Sequence, residues 1–252
     1  MKTKQDLLKE LDTIFDEFQG LANEDSGWEL CKTSQKLQIQ IYRRPSHFTK
    51  GHVFRGETTV FGSIDRVYDM LHPSTAYYKF QWDPHVRQCD VLEELSHNAL
   101  LLHFQLKPAL MGLISCRDSI EVCRFHEAED EKIIALGSVE HEKYPPTSNF
   151  IRGWSYPAGV LIRKSSEPDR SFVRVIFQGE LNSNLIPRGL FEKAMPTLLM
   201  QFMQGLHRTE MISWRPLPEV PGRRRPEWTP ESTDDDTETA NTVQGATCSS
   251  AV

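Results

Sequence analysis

ISCRDS at Ile114–Ser119 and YPPTSNFIRGWSYPAG at Tyr144–Gly159 frame the stretch on which the fold turns. Between them the chain offers short strands punctuated by Pro, Gly and Asn. The stretch holds no metal-ligand set, no nucleophile elbow and no phosphate loop. Such a scaffold suits a protein that holds a molecule better than one that transforms it.

The strand Ser115–Phe125 carries two readings. Ile120 and Val122 alternate with Ser119, Glu121 and Cys123. In a half-buried strand Ile120 and Val122 face the core and Glu121 faces water. In a strand that lines a polar-tipped cavity the reverse holds. Just upstream, LKPALMGLIS (Leu106–Ser115) is apolar where loops are usually polar. It either packs inward or gates an opening and touches membrane.

Working outward, residues 1–24 read as one amphipathic helix. Leu7, Leu8, Leu11, Ile14, Phe15, Phe18 and Leu21 recur at helical spacing, and the NEDSG turn (Asn23–Gly27) ends it. Strands are expected at Trp28–Thr33, Leu37–Arg43, His52–Phe61, Val86–Glu94, Ala99–Leu106, Lys132–Glu140, Phe150–Lys164 and Phe172–Leu181. Ser63 caps a short helix that Pro73 closes. A longer helix is expected from about Pro187, at an N1 position, to Met211, with Pro196 loosening it internally. Its apolar face includes Phe191, Met195, Leu198, Leu199, Phe202 and Met203. That face serves either an ordinary core helix or a lid over a cavity, and periodicity does not separate the two. About nine strands with helices mostly at the ends make an α+β protein with an antiparallel sheet.

Composition bounds the function. The chain has 252 residues, of which 38% are hydrophobic, and no apolar run approaches the roughly 20 residues of a spanning helix. The N-terminus lacks a signal-peptide core, so a cytoplasmic protein is expected. A net charge of −6 argues against nucleic acid as partner. Five scattered cysteines predict reduced thiols, and nine histidines without ligand spacing predict no metal and no cofactor. A nucleophilic role for Cys116 or Cys123 stands against the commoner one of a small buried hydrophobe. From Arg215 the chain turns to Pro, Thr, Ser, Asp and Arg, so residues 214–252 are expected to be a disordered tail after an ordered domain of residues 1–213. Within the tail, Ser232 and Thr233 precede Asp234–Asp236, a context for an acid-directed kinase. Ser250–Val252 fits a PDZ-type groove.

Taken in order, SGWELCKTSQKL (Ser26–Leu37), FQWDPHV (Phe80–Val86), LISCRDSIEV (Leu113–Val122), EKYPPTSNFIRGWSYPAG (Glu142–Gly159) and FQGELNSNLIP (Phe177–Pro187), followed by the terminal helix, resemble the StAR-related lipid-transfer (START) family. The likeness spans about residues 5–210 and is strongest to the small, stand-alone sterol carriers. It implies a helix-grip fold, a curved antiparallel sheet around a lipid tunnel closed by the C-terminal helix. Phe191, Met195, Leu199 and Met203 then belong to a lid, Leu198 and Phe202 face the ligand, and Leu110, Met111 and Leu113 belong to the gate beside the tunnel mouth. A monomer that contacts membranes transiently is implied.

Some relatives carry a buried acidic–basic pair on the strands flanking the gate. Its positions fall here on Phe104 and Cys123. Loss of both charges is coherent, because losing one alone would strand the other at a cost of about 3–5 kcal/mol. The resemblance turns Ser119, Glu121 and Cys123 inward, with Arg117 as a partner for Glu121, or else a raised pKa from burial. It also implies polar roles near the ligand for Ser155 and Gln178, and for Ser138 a hydrogen bond to a sterol hydroxyl, through water. The family usually has Pro where this chain has Cys116, and Thr where it has Gly179.

Overall fold

The computed structural model describes residues 2–109, 112, 114–180 and 188–213. The expected gate residues Leu110, Met111 and Leu113, the kinase and PDZ-type motifs and the rest of the tail lie outside them. The amphipathic N-terminal segment forms helix α1, Lys4–Asn23. Thr3 and Asp6 close a reciprocal capping box at its start, satisfying two N–H groups that the helix leaves free. Leu7, Leu11, Phe18, Leu21 and Ala22 form its buried stripe. The segment after Ser63 is helix α2, Ile64–Leu71, and the Ser63 hydroxyl accepts from the Arg66 N–H.

The expected strands appear as β1 Glu29–Ser34, β2 Ile39–Pro45, β3 His52–Phe61, β4 Val86–Ser96, β5 Ala99–Leu106, β6 Arg117–Glu127 and β7 Glu131–Ser138. The single strand expected at Phe150–Lys164 is three pieces: β8 Ile151–Arg152, β9 Trp154–Ser155 and β10 Ala158–Lys164. Gly153 and the Tyr156–Pro157 step break it, since Pro157 has no N–H for the ladder. The last expected strand divides at Gln178 into β11 Arg170–Phe177 and β12 Gly179–Glu180. Helix α3, Ala76–Trp82, was not expected.

The main sheet runs β1-β2-β3-β11-β10-β7-β6-β5-β4, with antiparallel neighbours throughout, while β8 pairs in parallel with β6. A small second sheet joins β9 to β12. Both faces of the main sheet are buried. On the outer face, under α1, lie Leu101, Ile120, Val122, Ile133, Ala135, Leu161 and Ile176. On the inner face lie Ile39, Ile41, Phe54, Phe104, Cys123, Phe125, Ile134, Val160 and Val175. Close helix–sheet contact demands glycine at Gly159: its φ is 151°, and an added Cβ would meet the Ile134 carbonyl at 2.2 Å and the Phe18 ring at 3.0 Å.

Helix α4, Arg188–Arg208, covers the inner face over β1, β2 and β3 and continues into a 3-10 turn at Thr209–Met211. Pro187, expected at N1, lies outside the described residues. The helix runs through Pro196, which offers no N–H to the preceding turn. Side chains from below hold this region. Lys32 Nζ donates to Thr197 Oγ1 at 2.8 Å, and His85 Nε2 is 3.1 Å from the Leu198 carbonyl. Near its start, His52 Nδ1 is 2.7 Å from Glu192 Oε2.

One ionic clasp locks the YPPTSNFIRG segment to the sheet. The Asp118 carboxylate, 2% exposed, accepts from Arg152 Nε at 2.9 Å and Nη2 at 3.0 Å, with His103 Nε2 at 3.0 Å. Arg152 also donates to the Tyr144 and Pro145 carbonyls. Replacing Asp118 by Ala leaves the Arg152 guanidinium without its carboxylate. We expect a loss of about 3–5 kcal/mol in urea unfolding, and a loss below about 1 kcal/mol would show that the clasp contributes little.

Candidate functional site

Strand β6 decides the character of the inner face. Ile120 and Val122 pack beneath α1, and Cys123 and Phe125 lie in the cluster beneath α4. Alternation puts Ser119 and Glu121 on the side of Cys123. Glu121 is therefore turned away from solvent, at 4% exposure, contrary to the half-buried reading of this strand. That reading fails because helices cover both faces of the sheet, so no side of β6 meets water.

Glu121 sits in a small polar island. The hydroxyls of Ser119 and Ser155 both donate to its Oε1, each at 2.7 Å. The Ser155 N–H donates to Ser138 Oγ at 2.8 Å, and Ser138 faces Glu121 across the β6–β7 ladder. The island forms because the Asp118–Arg152 clasp fixes β8 and delivers Ser155, three residues beyond Arg152, over the edge of β6. Burial pushes the Glu121 pKa up, against the pull of the two hydroxyls and of the Lys79 ammonium. Arg117, expected as its partner, instead donates to the Ser115 carbonyl and hydroxyl at 2.6 and 2.7 Å.

Around the island the lining is apolar. Phe104 and Cys123, where some relatives place charges, are buried. Burial raises the Cys123 thiol well above its ordinary range and lifts Cys89 to about 12. Phe191, Met195, Leu199 and Met203 of α4 close the inner face, while Leu198 and Phe202 are partly buried against it. Gln178 has both ends of its amide bonded to the chain: Oε1 accepts from Ser46 Oγ at 2.8 Å, and Nε2 donates to the Pro157 carbonyl at 2.9 Å. It clasps two segments together. Ser138 and Ser155 also border an outer groove of about 280 Å³ between α1 and Trp154–Pro157, which places the island close to solvent.

Sequence reasoning did not find Lys79. Its ammonium lies 5.0 Å from the Phe104 ring centroid. The only signal was a lysine within the aromatic run YYKFQW, and nothing in that run shows which way a short helix turns it. Among the described residues, no three His, Cys, Asp or Glu side chains are grouped to hold a metal, and no helix is long and apolar enough to cross a membrane.

A large antiparallel sheet gripped by a C-terminal helix, with an apolar inner face and one polar island, defines a helix-grip α+β protein. A sequence profile of the START domain matches residues 10–211, and the chain belongs to that family. It is 28% identical to StAR-related lipid transfer protein 5 of Bos taurus over 185 residues, covering 73% of this chain and 85% of that protein. It is also 28% identical to StAR-related lipid transfer protein 6 of Homo sapiens over 186 residues, covering 73% and 82%. The solved structure of human StAR-related lipid transfer protein 5 superposes with a TM-score of 0.76 at 21% identity, covering 82% of this chain and 97% of that one.

The raised Glu121 pKa has a signed consequence for stability. The folded protein favours the neutral carboxyl, so stability is highest below the ordinary value of 4.5 and falls as pH rises from there through the raised native pKa. Glu121→Gln keeps a carbonyl acceptor and removes the charge. Thermal melts should show the variant more stable than the parent at about pH 8, with the gap closing toward acid. An equal destabilisation at every pH would refute the assignment.

Proposed function

We propose that this protein binds one sterol-like lipid between the inner face of the sheet and α4, and exchanges it between membranes. The observation that carries this is the lining itself: mostly apolar side chains from β2 to β6 and from α4, with hydroxyls and one carboxyl gathered in a small island. A sterol exposes about 400–500 Å² of apolar surface, worth roughly 10 kcal/mol of transfer free energy at ~25 cal/mol/Å². An apolar enclosure recovers much of that, and a few polar groups orient the one hydroxyl. The family supports lipid transfer as the activity. The choice of a sterol rests on Phe104 and Cys123, which remove the charge pair that some relatives carry there.

The proposed cycle is that of a cytoplasmic, monomeric carrier. It touches a membrane, its C-terminal helix and the loop after Leu106 part, and the lipid passes. No catalytic step is part of the proposal. Cys89 and Cys123 are held protonated by burial, which is the wrong state for a thiol nucleophile. A glycerophospholipid cargo would want cations free to meet its phosphate. Arg152 is engaged by Asp118, and Arg117 by Ser115, so that reading would have to rest on Lys79 beside Phe104. An adaptor role through the tail concerns residues outside those described.

Transfer of a fluorescent sterol from donor to acceptor liposomes tests the proposal. Addition of the purified protein should accelerate transfer, with weaker acceleration for phosphatidylcholine. Transfer of phospholipid alone, with no sterol bound or moved, would sink the sterol assignment.

A further inference from the structure

The island and Lys79 share one compartment. Lys79 reaches in from α3, and its ammonium lies over the ring of Phe104. Phe104 pairs with Cys89 on β4 and with Ser119 on β6. Ser119 in turn donates to Glu121. The charge of Lys79 pulls the pKa of Glu121, Cys89 and Cys123 down, against the larger effect of burial. Residues on three adjacent strands therefore locate the ammonium on the inner face, beside the island. Among the described residues it makes no hydrogen bond and no ion pair.

The hydrogen-bonding capacity left over is lopsided. Oε1 of Glu121 already accepts two hydroxyl protons, and those protons are no longer free for a ligand. Oε2 makes no hydrogen bond among the described residues, and in the neutral carboxyl it carries the proton and donates. An ammonium offers donors and no acceptor. A ligand oxygen arriving here meets the Lys79 ammonium and the neutral form of Glu121 as donors, while a ligand donor meets only hydroxyl lone pairs.

We propose that Lys79 and Glu121 Oε2 form a two-donor clamp that selects a lipid bearing an acceptor oxygen, a ketone or a carboxylate, over one whose only polar group is a hydroxyl. This rests on the reading that a lipid occupies the inner face. A ketone or carboxylate takes both donors and brings no proton of its own. A hydroxyl takes the same donors but finds only serine hydroxyl oxygens to accept its own O–H, a poorer match than an acceptor oxygen makes with both donors. Lys79 is thereby a specificity-determining residue, on a helix distant in sequence from the strands that carry the rest of the site.

Competition against bound dehydroergosterol, an intrinsically fluorescent sterol, tests the clamp on the full chain. The competitors are cholesterol, cholestenone and cholenoic acid, which present a hydroxyl, a ketone, and a hydroxyl with a carboxylate. The parent should bind at least one of the last two about tenfold tighter than cholesterol. Lys79→Met should reduce that preference to within about twofold, and Lys79→Arg should restore it. The acid ahead of the ketone would assign the ammonium's charge, and the two level would assign its N–H donors. Equal affinity for all three, or a preference that survives in Lys79→Met, overturns the clamp. Failure of dehydroergosterol to bind at all overturns the sterol reading instead. The clamp is then read with fluorescent cis-parinaric acid against its alcohol, where a preference for the acid that Lys79→Met abolishes supports it and equal binding overturns it.

Discussion

The pairing of Asp118 with Arg152 is the interaction on which the site depends. A carboxylate this deeply buried is tolerable only with full compensation, and a bidentate guanidinium supplies it, with His103 on the other side. The pair fixes β8 in parallel against the start of β6, beyond the point where β7 has ended. Once Arg152 is fixed, the chain has only Gly153 and Trp154 to cross before Ser155. That short crossing brings the Ser155 hydroxyl to Glu121 and its N–H to Ser138. Both Ser155 contacts at the site are thus downstream of one ion pair that does not belong to the site.

Two helices on opposite faces impose the second constraint. Between α1 on one face and the cluster closed by α4 on the other, the central strands are buried, so their polar residues must find partners inside. Glu121 finds hydroxyls and burial pushes its pKa up, while Asp118 finds a cation in Arg152. The contrast follows from placement. Asp118 lies where the parallel strand β8 can present Arg152, whereas Glu121 lies where the chain presents only serines. The positions of the family's acidic–basic pair are apolar in this chain, yet an acid and a base, Glu121 and Lys79, lie near them at other positions. Polarity has moved within the compartment without vanishing from it.

Much of the architecture was legible in the residues. The Leu7–Leu21 stripe, the Ser63 cap and the run His52–Phe61 each satisfy local rules that hold whatever surrounds them. The splitting of Phe150–Lys164 was less legible, because Gly153 and Pro157 announce breaks without saying where the pieces go. Helix α3 escaped notice since seven residues, four of them aromatic, carry no clear period. Arg117 was a natural partner for Glu121 by proximity along the strand. It is committed to Ser115, and the true partner Ser155 is distant in sequence.

Local sequence determined the elements, their order, the apolar faces of α1 and α4, and, through its family likeness, which strand residues turn inward. Those properties follow from backbone geometry and side-chain periodicity, which act over a few residues. Tertiary structure alone decided that Ser119 and Ser155 meet at one carboxylate oxygen, that Arg152 is engaged by Asp118, and that Lys79 points at Phe104. Such meetings join residues tens of positions apart. Only the closing of the sheet between two helices brings them within hydrogen-bonding or ring-contact range, so no local pattern records them.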